Sequence, residues 1–207
     1  MELRDALSQI SEIRRRMADT QLYRGYRAFP TACSGVLALA AAVAQAVWLP
    51  DPAAHAMTFM WLWVGVAAVS FLMVGSEMVL HCRRMPSPWR TQATWLALEQ
   101  FPPVVLAGGL VTGVLAVFAP ETLFLLPGLW QVFFALGLLA SRRLLPAPFL
   151  LLAAAYLASG LFCLAWARGE HAFSPLAMGL PFGIGQLVAA WILYWTLERP
   201  DGEAEEE

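Results

Sequence analysis

Lysine is absent from this chain; all thirteen basic residues are Arg. A Schiff base on lysine and a Walker A phosphate cradle are therefore both excluded. Charge is scarce as well. Only 14% of residues are charged, where an ordinary soluble domain has about 25%. The three cysteines, Cys33, Cys82 and Cys163, have no paired spacing. They read as small hydrophobes and not as a disulfide or zinc framework. The three histidines, His55, His81 and His171, fall at the ends of apolar runs, which disfavours haem held between paired histidines at mid-membrane depth. No HExxH or GxSxG pattern occurs. The sequence thus nominates no catalytic residue, no cofactor site and no metal site.

What is present is hydrophobic. Apolar residues make up 59% of the 207, with nine Trp and twelve Phe. So few charges cannot cover that much apolar surface in water. A membrane-crossing helix needs ~20 mostly apolar residues. Six stretches qualify, at about 30–49, 56–80, 94–118, 122–140, 147–167 and 175–197. The links between them are short, and several carry proline: Pro52, Pro86, Pro88, Pro120, Pro146 and Pro148. Short links force antiparallel neighbours. The expected fold is an all-α integral membrane protein, a six-helix up-down bundle. Residues 1–27 form an amphipathic cytoplasmic helix, 28–200 the membrane domain and 201–207 an acidic cytoplasmic tail.

Arginine sets the expected orientation. Arg4, Arg14, Arg15, Arg16, Arg24, Arg27, Arg83, Arg84, Arg90, Arg142, Arg143 and Arg199 all fall on one side of a six-span arrangement, and only Arg168 on the other. The positive-inside bias then puts both termini in the cytoplasm. Trp48, Trp61, Trp63 and Trp166 fall near the outer boundary, and Trp89, Trp95 and Trp195 near the inner one, as an aromatic belt requires. Trp130 and Trp191 lie deeper and call for a packing reason. Exclusive use of Arg with abundant Ala, Gly, Pro and Leu suits a GC-rich bacterial genome, hence a bacterial cytoplasmic (inner) membrane. The Ala54-His55-Ala56 stretch resembles a signal-peptidase site. The segment ahead of the first apolar run is too long for a signal n-region, so that run reads as an uncleaved helix.

In the first segment Leu3, Ala6, Leu7, Ile10, Ile13 and Met17 share one arc of the helical wheel. Arg4, Asp5, Glu12, Arg15, Arg16 and Asp19 point elsewhere. Such a helix lies on the membrane surface or docks a protein partner. Interleaved acids and the lack of an extended basic patch argue against nucleic acid. Arg followed by Pro closes the second, fourth and sixth stretches, a weak hint of repeated hairpins that helix-end preferences alone explain.

Small residues recur every four positions: Ser34, Ala38, Ala42 and Ala46; Gly109 and Gly113; Ala154 and Ala158; Gly179 and Gly183. Such faces let helices approach closely in lipid, within this chain or against another membrane subunit. Intramembrane polar residues are functional candidates by default. Glu77 lies a turn or two before the Arg83 end of the second stretch. Glu99 lies near the same side in the third. Gln131 and Gln186 each fall ~17–19 Å from that side at about 1.5 Å per residue. Pro102 and Pro103 remove two consecutive N–H groups and mark a candidate helix break. The expectation is that Glu77, Glu99, Gln131 and Gln186 share a polar, water-accessible cavity. The competing reading makes the glutamines interhelical glue and pairs the carboxylates with nearby Arg. On this basis the chain is expected to be a non-enzymatic membrane module that senses, scaffolds or joins partners. The alternative is a small transporter or channel subunit using the polar cavity. Membrane lipids and a membrane or cytoplasmic protein are the partners implied.

Overall fold

A computed structural model describes residues 27–84, 101–166 and 171–199, with the side chains of 81–84 outside that set. The expected amphipathic helix at 1–27, apart from Arg27, lies outside the described residues, as do Glu99 and the acidic tail. Those residues are helical, without a strand among them. The helices are α1 (Ala28–Trp48), α2 (Ala56–Arg84), α3 (Pro102–Phe118), α4 (Leu126–Ala140), α5 (Phe149–Trp166) and α6 (Pro175–Glu198). A 3-10 turn, Pro120–Leu125, leads into α4. Five segments are long and apolar enough to cross a membrane: Ala28–Trp48, Ala56–Leu80, Pro120–Ala140, Phe149–Trp166 and Pro175–Glu198. The apolar helix α3 is shorter, at 17 residues.

Proline marks helix starts. α3, α4 and α6 each carry Pro in the first two positions, where the lost N–H has no intrahelical partner anyway. Ser174 caps α6 by accepting the Leu176 N–H at 3.3 Å. Along the helices most large side chains turned outward are apolar. Trp48 is 81% exposed and Phe118 80%, an arrangement suited to hydrocarbon and costly in water.

Two helix pairs form the frame. α4 packs along α5, and α1 along α6. Both contacts depend on glycine. A β-carbon on Gly128 of α4 would lie 2.8 Å from the Gly160 carbonyl oxygen of α5, and one on Gly160 would lie 2.9 Å from that of Gly128. Likewise a β-carbon on Gly35 of α1 would lie 2.8 Å from the Gly183 carbonyl oxygen of α6. The small residues expected to permit close approach do so in α1 and α6, where Ser34, Ala38, Ala42, Gly179 and Gly183 are buried; in α5 the expected Ala154 and Ala158 are exposed, and Gly160 makes the contact instead. In α3 the expected glycines make no close approach: added β-carbons at Gly109 and Gly113 would meet nothing within 4 Å.

The remaining helices lean on this frame. α2 packs on α1, and α3 on α4; the two make no extended contact with each other among the described residues. At one end of the bundle the start of α1 meets the end of α6. The Ala28 N–H donates to Glu198 Oε1 at 2.9 Å, and Arg27 Nη1 lies 3.8 Å from the same oxygen. A carboxylate there also complements the positive end of the α1 dipole. Arg199 stacks over Trp195 at 4.1 Å, close to that junction.

Candidate functional site

The weak packing between α2 and α3 leaves a chamber of about 570 Å³ within the bundle. Its size falls in the range of roughly 300–1,000 Å³ typical of small-molecule sites. Trp63, Phe71 and Val74 of α2 line one side, and Val104, Gly109 and Thr112 of α3 another. Phe133 and Phe134 of α4, Phe149 of α5 and Phe182 of α6 close the back. Hydroxyl and amide groups enter only through Thr31, Ser34, Ser70, Thr112 and Gln186. No charged side chain lines it among the described residues.

Most of these polar groups are already engaged. Thr31 Oγ1 donates to the Arg27 carbonyl at 2.9 Å, and Thr112 Oγ1 to that of Gly108 at 2.7 Å. Thr112 also accepts the Trp130 indole N–H at 2.8 Å, which is the packing reason for a deep tryptophan. Trp63, placed by sequence near a membrane boundary, is 3% exposed and donates to Gln45 Oε1 at 2.8 Å. Gln45 in turn donates to the Phe173 carbonyl at 2.7 Å.

The four nominated cavity residues have different fates. Gln186 lines the chamber. Gln131 is fully buried elsewhere, in the α4–α5–α6 seam. Its amide donates to the Ala177 carbonyl at 2.9 Å and the Pro127 carbonyl at 3.0 Å, and its oxygen accepts from Ser159. Ala177 precedes Pro181 by one turn, and Pro181 has no N–H to offer that carbonyl. Gln131 thus satisfies a backbone group that α6 leaves open, where the chain runs in wider π-helical turns over Gly179–Ile184. Glu77 is half-buried on α2 and does not line the chamber. Glu99 lies outside the described residues. Pro102 and Pro103 open α3, and the Phe101 carbonyl ahead of them accepts from Val104 at 3.1 Å.

One group escaped the sequence reading. Tyr156 is 2% exposed in α5, the one tyrosine in a largely apolar span. Its ring packs on Phe134 and Phe182, with centroids 4.7 and 5.4 Å away, and its hydroxyl lies beside the Gln186 side chain and against Gly185. A lone tyrosine in an apolar helix was the available signal, because a buried phenol needs a partner. Among the described residues no group of three or more His, Cys, Asp or Glu stands close enough to hold a metal. Chemically, the arrangement is suited to enclosing hydrocarbon with a few neutral polar contacts. No protein-family model, curated protein or solved structure matches this chain.

Proposed function

We propose that this chain is a non-enzymatic, six-span protein of a bacterial cytoplasmic membrane, with both termini in the cytoplasm, whose bundle holds a hydrophobic molecule drawn from the bilayer. The chamber carries this reading. It is large, apolar and free of charged lining among the described residues. It lies between α2 and α3, which make no extended contact with each other among the described residues, and entry from the bilayer between them is the route this reading implies.

The span count has separate support. The start of α1 and the end of α6 meet through Ala28 and Glu198, so the chain enters and leaves the bundle at the same end. That favours an even number of crossings, with α3 as the proposed sixth beside the five longer segments. Twelve of thirteen Arg fall on one side of that arrangement, and the positive-inside bias favours that side as the cytoplasmic one. An ion-conducting role has less support, because ions need charged or carbonyl-rich linings and no charged side chain lines this chamber among the described residues.

The test is binding of a decyl chain carrying a dansyl group to the purified protein in nanodiscs. Energy transfer from Trp63 and Trp130, which both line the chamber, reports occupancy. Saturable transfer is expected for the native chain and its loss in Gly109→Phe, since Gly109 faces open chamber space. Transfer that rises without saturation, equally in both proteins, refutes the reading.

A further inference from the structure

The polar spot on the chamber wall has an unbalanced hydrogen-bond count. Ser34 Oγ lies 2.7 Å from the Thr31 carbonyl and 3.4 Å from Gln186 Oε1. A hydroxyl has one proton, and the shorter contact takes it. The 3.4 Å approach is then served by the Gln186 NH2 group donating to Ser34 Oγ, with the two ends of the amide exchanged. Which end of an amide is nitrogen is decided by its network. The exchange also offers the amide oxygen as an acceptor to the buried Tyr156 hydroxyl, which lies beside Gln186 without a well-aligned hydrogen bond. The completed chain runs from the Tyr156 hydroxyl to the Gln186 oxygen, and from the Gln186 nitrogen to Ser34 and on to Thr31. It ties α5, α6 and α1 together.

An amide nitrogen carries two protons. With the ends exchanged, Ser34 takes one, and no hydrogen bond among the described residues takes the other, on a side chain that lines the chamber. An unmet donor in an apolar site is costly, by roughly the desolvation of one polar group, so it selects for an acceptor. The acceptor has to be neutral, since no charged side chain lines the chamber among the described residues. Flat ring walls surround it: Phe134 packs edge-on against Phe101 and Phe182 at 5.5 Å each. Rings prefer offset or edge contacts with further rings.

We propose that the chamber's occupant is a neutral lipid with a planar carbonyl head of the quinone class, its carbonyl oxygen accepting the remaining Gln186 N–H and its tail leaving between α2 and α3. The proposal rests on the hydrophobic-ligand reading above and adds the chemistry of the head. The tyrosine and serine orient the amide, and Gln186 alone of the three touches the ligand.

Competition against the dansyl-decyl probe in nanodiscs tests it, using a decyl-substituted benzoquinone and decylbenzene as matched competitors. The native protein is expected to favour the quinone by roughly five- to tenfold, the discrimination one hydrogen bond in an apolar site provides. In Gln186→Leu the preference should fall to about one while decylbenzene still competes. Ser34→Ala, a smaller change, should reduce the preference without abolishing it, which guards against a misfolded leucine variant. If both competitors displace the probe equally from the native protein, the quinone inference is overturned and the hydrophobic-ligand reading stands. If the probe itself never binds saturably, both fall together.

Discussion

Two glycine-to-alanine changes that look alike in sequence are expected to have opposite effects. Gly160 and Gly109 each sit in an apolar helix among small residues. A β-carbon on Gly160 would stand 2.9 Å from the Gly128 carbonyl oxygen, 3.0 Å from Gln131 Cβ and 3.0 Å from Val132 Cγ2. The first two are backbone or backbone-bound atoms, so no rotamer change relieves the clash and α4 must move off α5. Overpacking of this kind costs about 1–3 kcal/mol. The move also stretches the Ser159–Gln131 hydrogen bond across the same seam, worth about 0.6 kcal/mol by the average for membrane helices. Helix propensity returns up to about 1 kcal/mol on replacing glycine by alanine. The net expectation for Gly160→Ala is a loss of about 1–3 kcal/mol. Gly109→Ala meets nothing within 4 Å, so only the propensity gain remains, about 0.5–1 kcal/mol. Reversible unfolding in mixed micelles, titrated with a denaturing detergent and followed by circular dichroism, measures both. A Gly160→Ala protein as stable as Gly109→Ala would refute the glycine-to-glycine contact between α4 and α5.

Three further outcomes follow from the same contacts. Gln131→Leu should cost about 1–3 kcal/mol by stranding the Ala177 carbonyl, and the cost should shrink in a Pro181→Ala background, where residue 181 regains an N–H; equal costs in both backgrounds, measured by the same unfolding assay, reject the link. Glu198→Gln should keep the hydrogen bond to Ala28 and lose the charge at the α1 terminus. The expected loss is about 0.3–1 kcal/mol at low salt, fading at high salt, and a salt-independent loss would contradict the dipole argument. In a chain freed of its native cysteines, single cysteines at Ala54 and Glu170 should react with an impermeant thiol reagent on intact cells, and those at Ser87 and Arg142 should not; the reverse pattern overturns the proposed orientation.

The helices were legible in the sequence because length and apolarity are local properties. Runs such as 147–167 and 175–197 needed only counting, and the helices Phe149–Trp166 and Pro175–Glu198 fall within a residue or two of them. Partnership was not legible, because it depends on which face of a helix meets which neighbour. Gly109 and Gly113 have the same spacing as Gly179 and Gly183, yet only the latter pair packs on another helix, where Gly179 meets Ala42 and Gly183 meets Leu39. The same limit applied to Gln131 and Gln186. Both lie at similar computed depth on stripes of small residues, but one fills a seam opened by Pro181 and the other faces the chamber. The tie between Glu198 and the start of α1 spans 170 positions and left no local trace.

The placement of proline and glutamine explains why the chamber is apolar although its helices carry polar residues. In hydrocarbon every backbone group needs an internal partner, so a polar side chain near an irregular turn is drawn to it. Gln131 goes to the carbonyl that Pro181 leaves open, and Gln45 to the Phe173 carbonyl just before α6 begins. Thr31, Ser34 and Thr112 turn back on their own helices, and the tryptophans Trp63 and Trp130 take up what acceptors remain. What is left facing the chamber is mostly aromatic and aliphatic, the exceptions being the Ser70 hydroxyl and the Gln186 amide. A site built in this way has little with which to hold an ion and little with which to do chemistry. On the proposed reading it discriminates among lipids by shape and by one neutral hydrogen bond, and so Gln186, not the carboxylate Glu77, is the residue whose replacement should change what this protein binds.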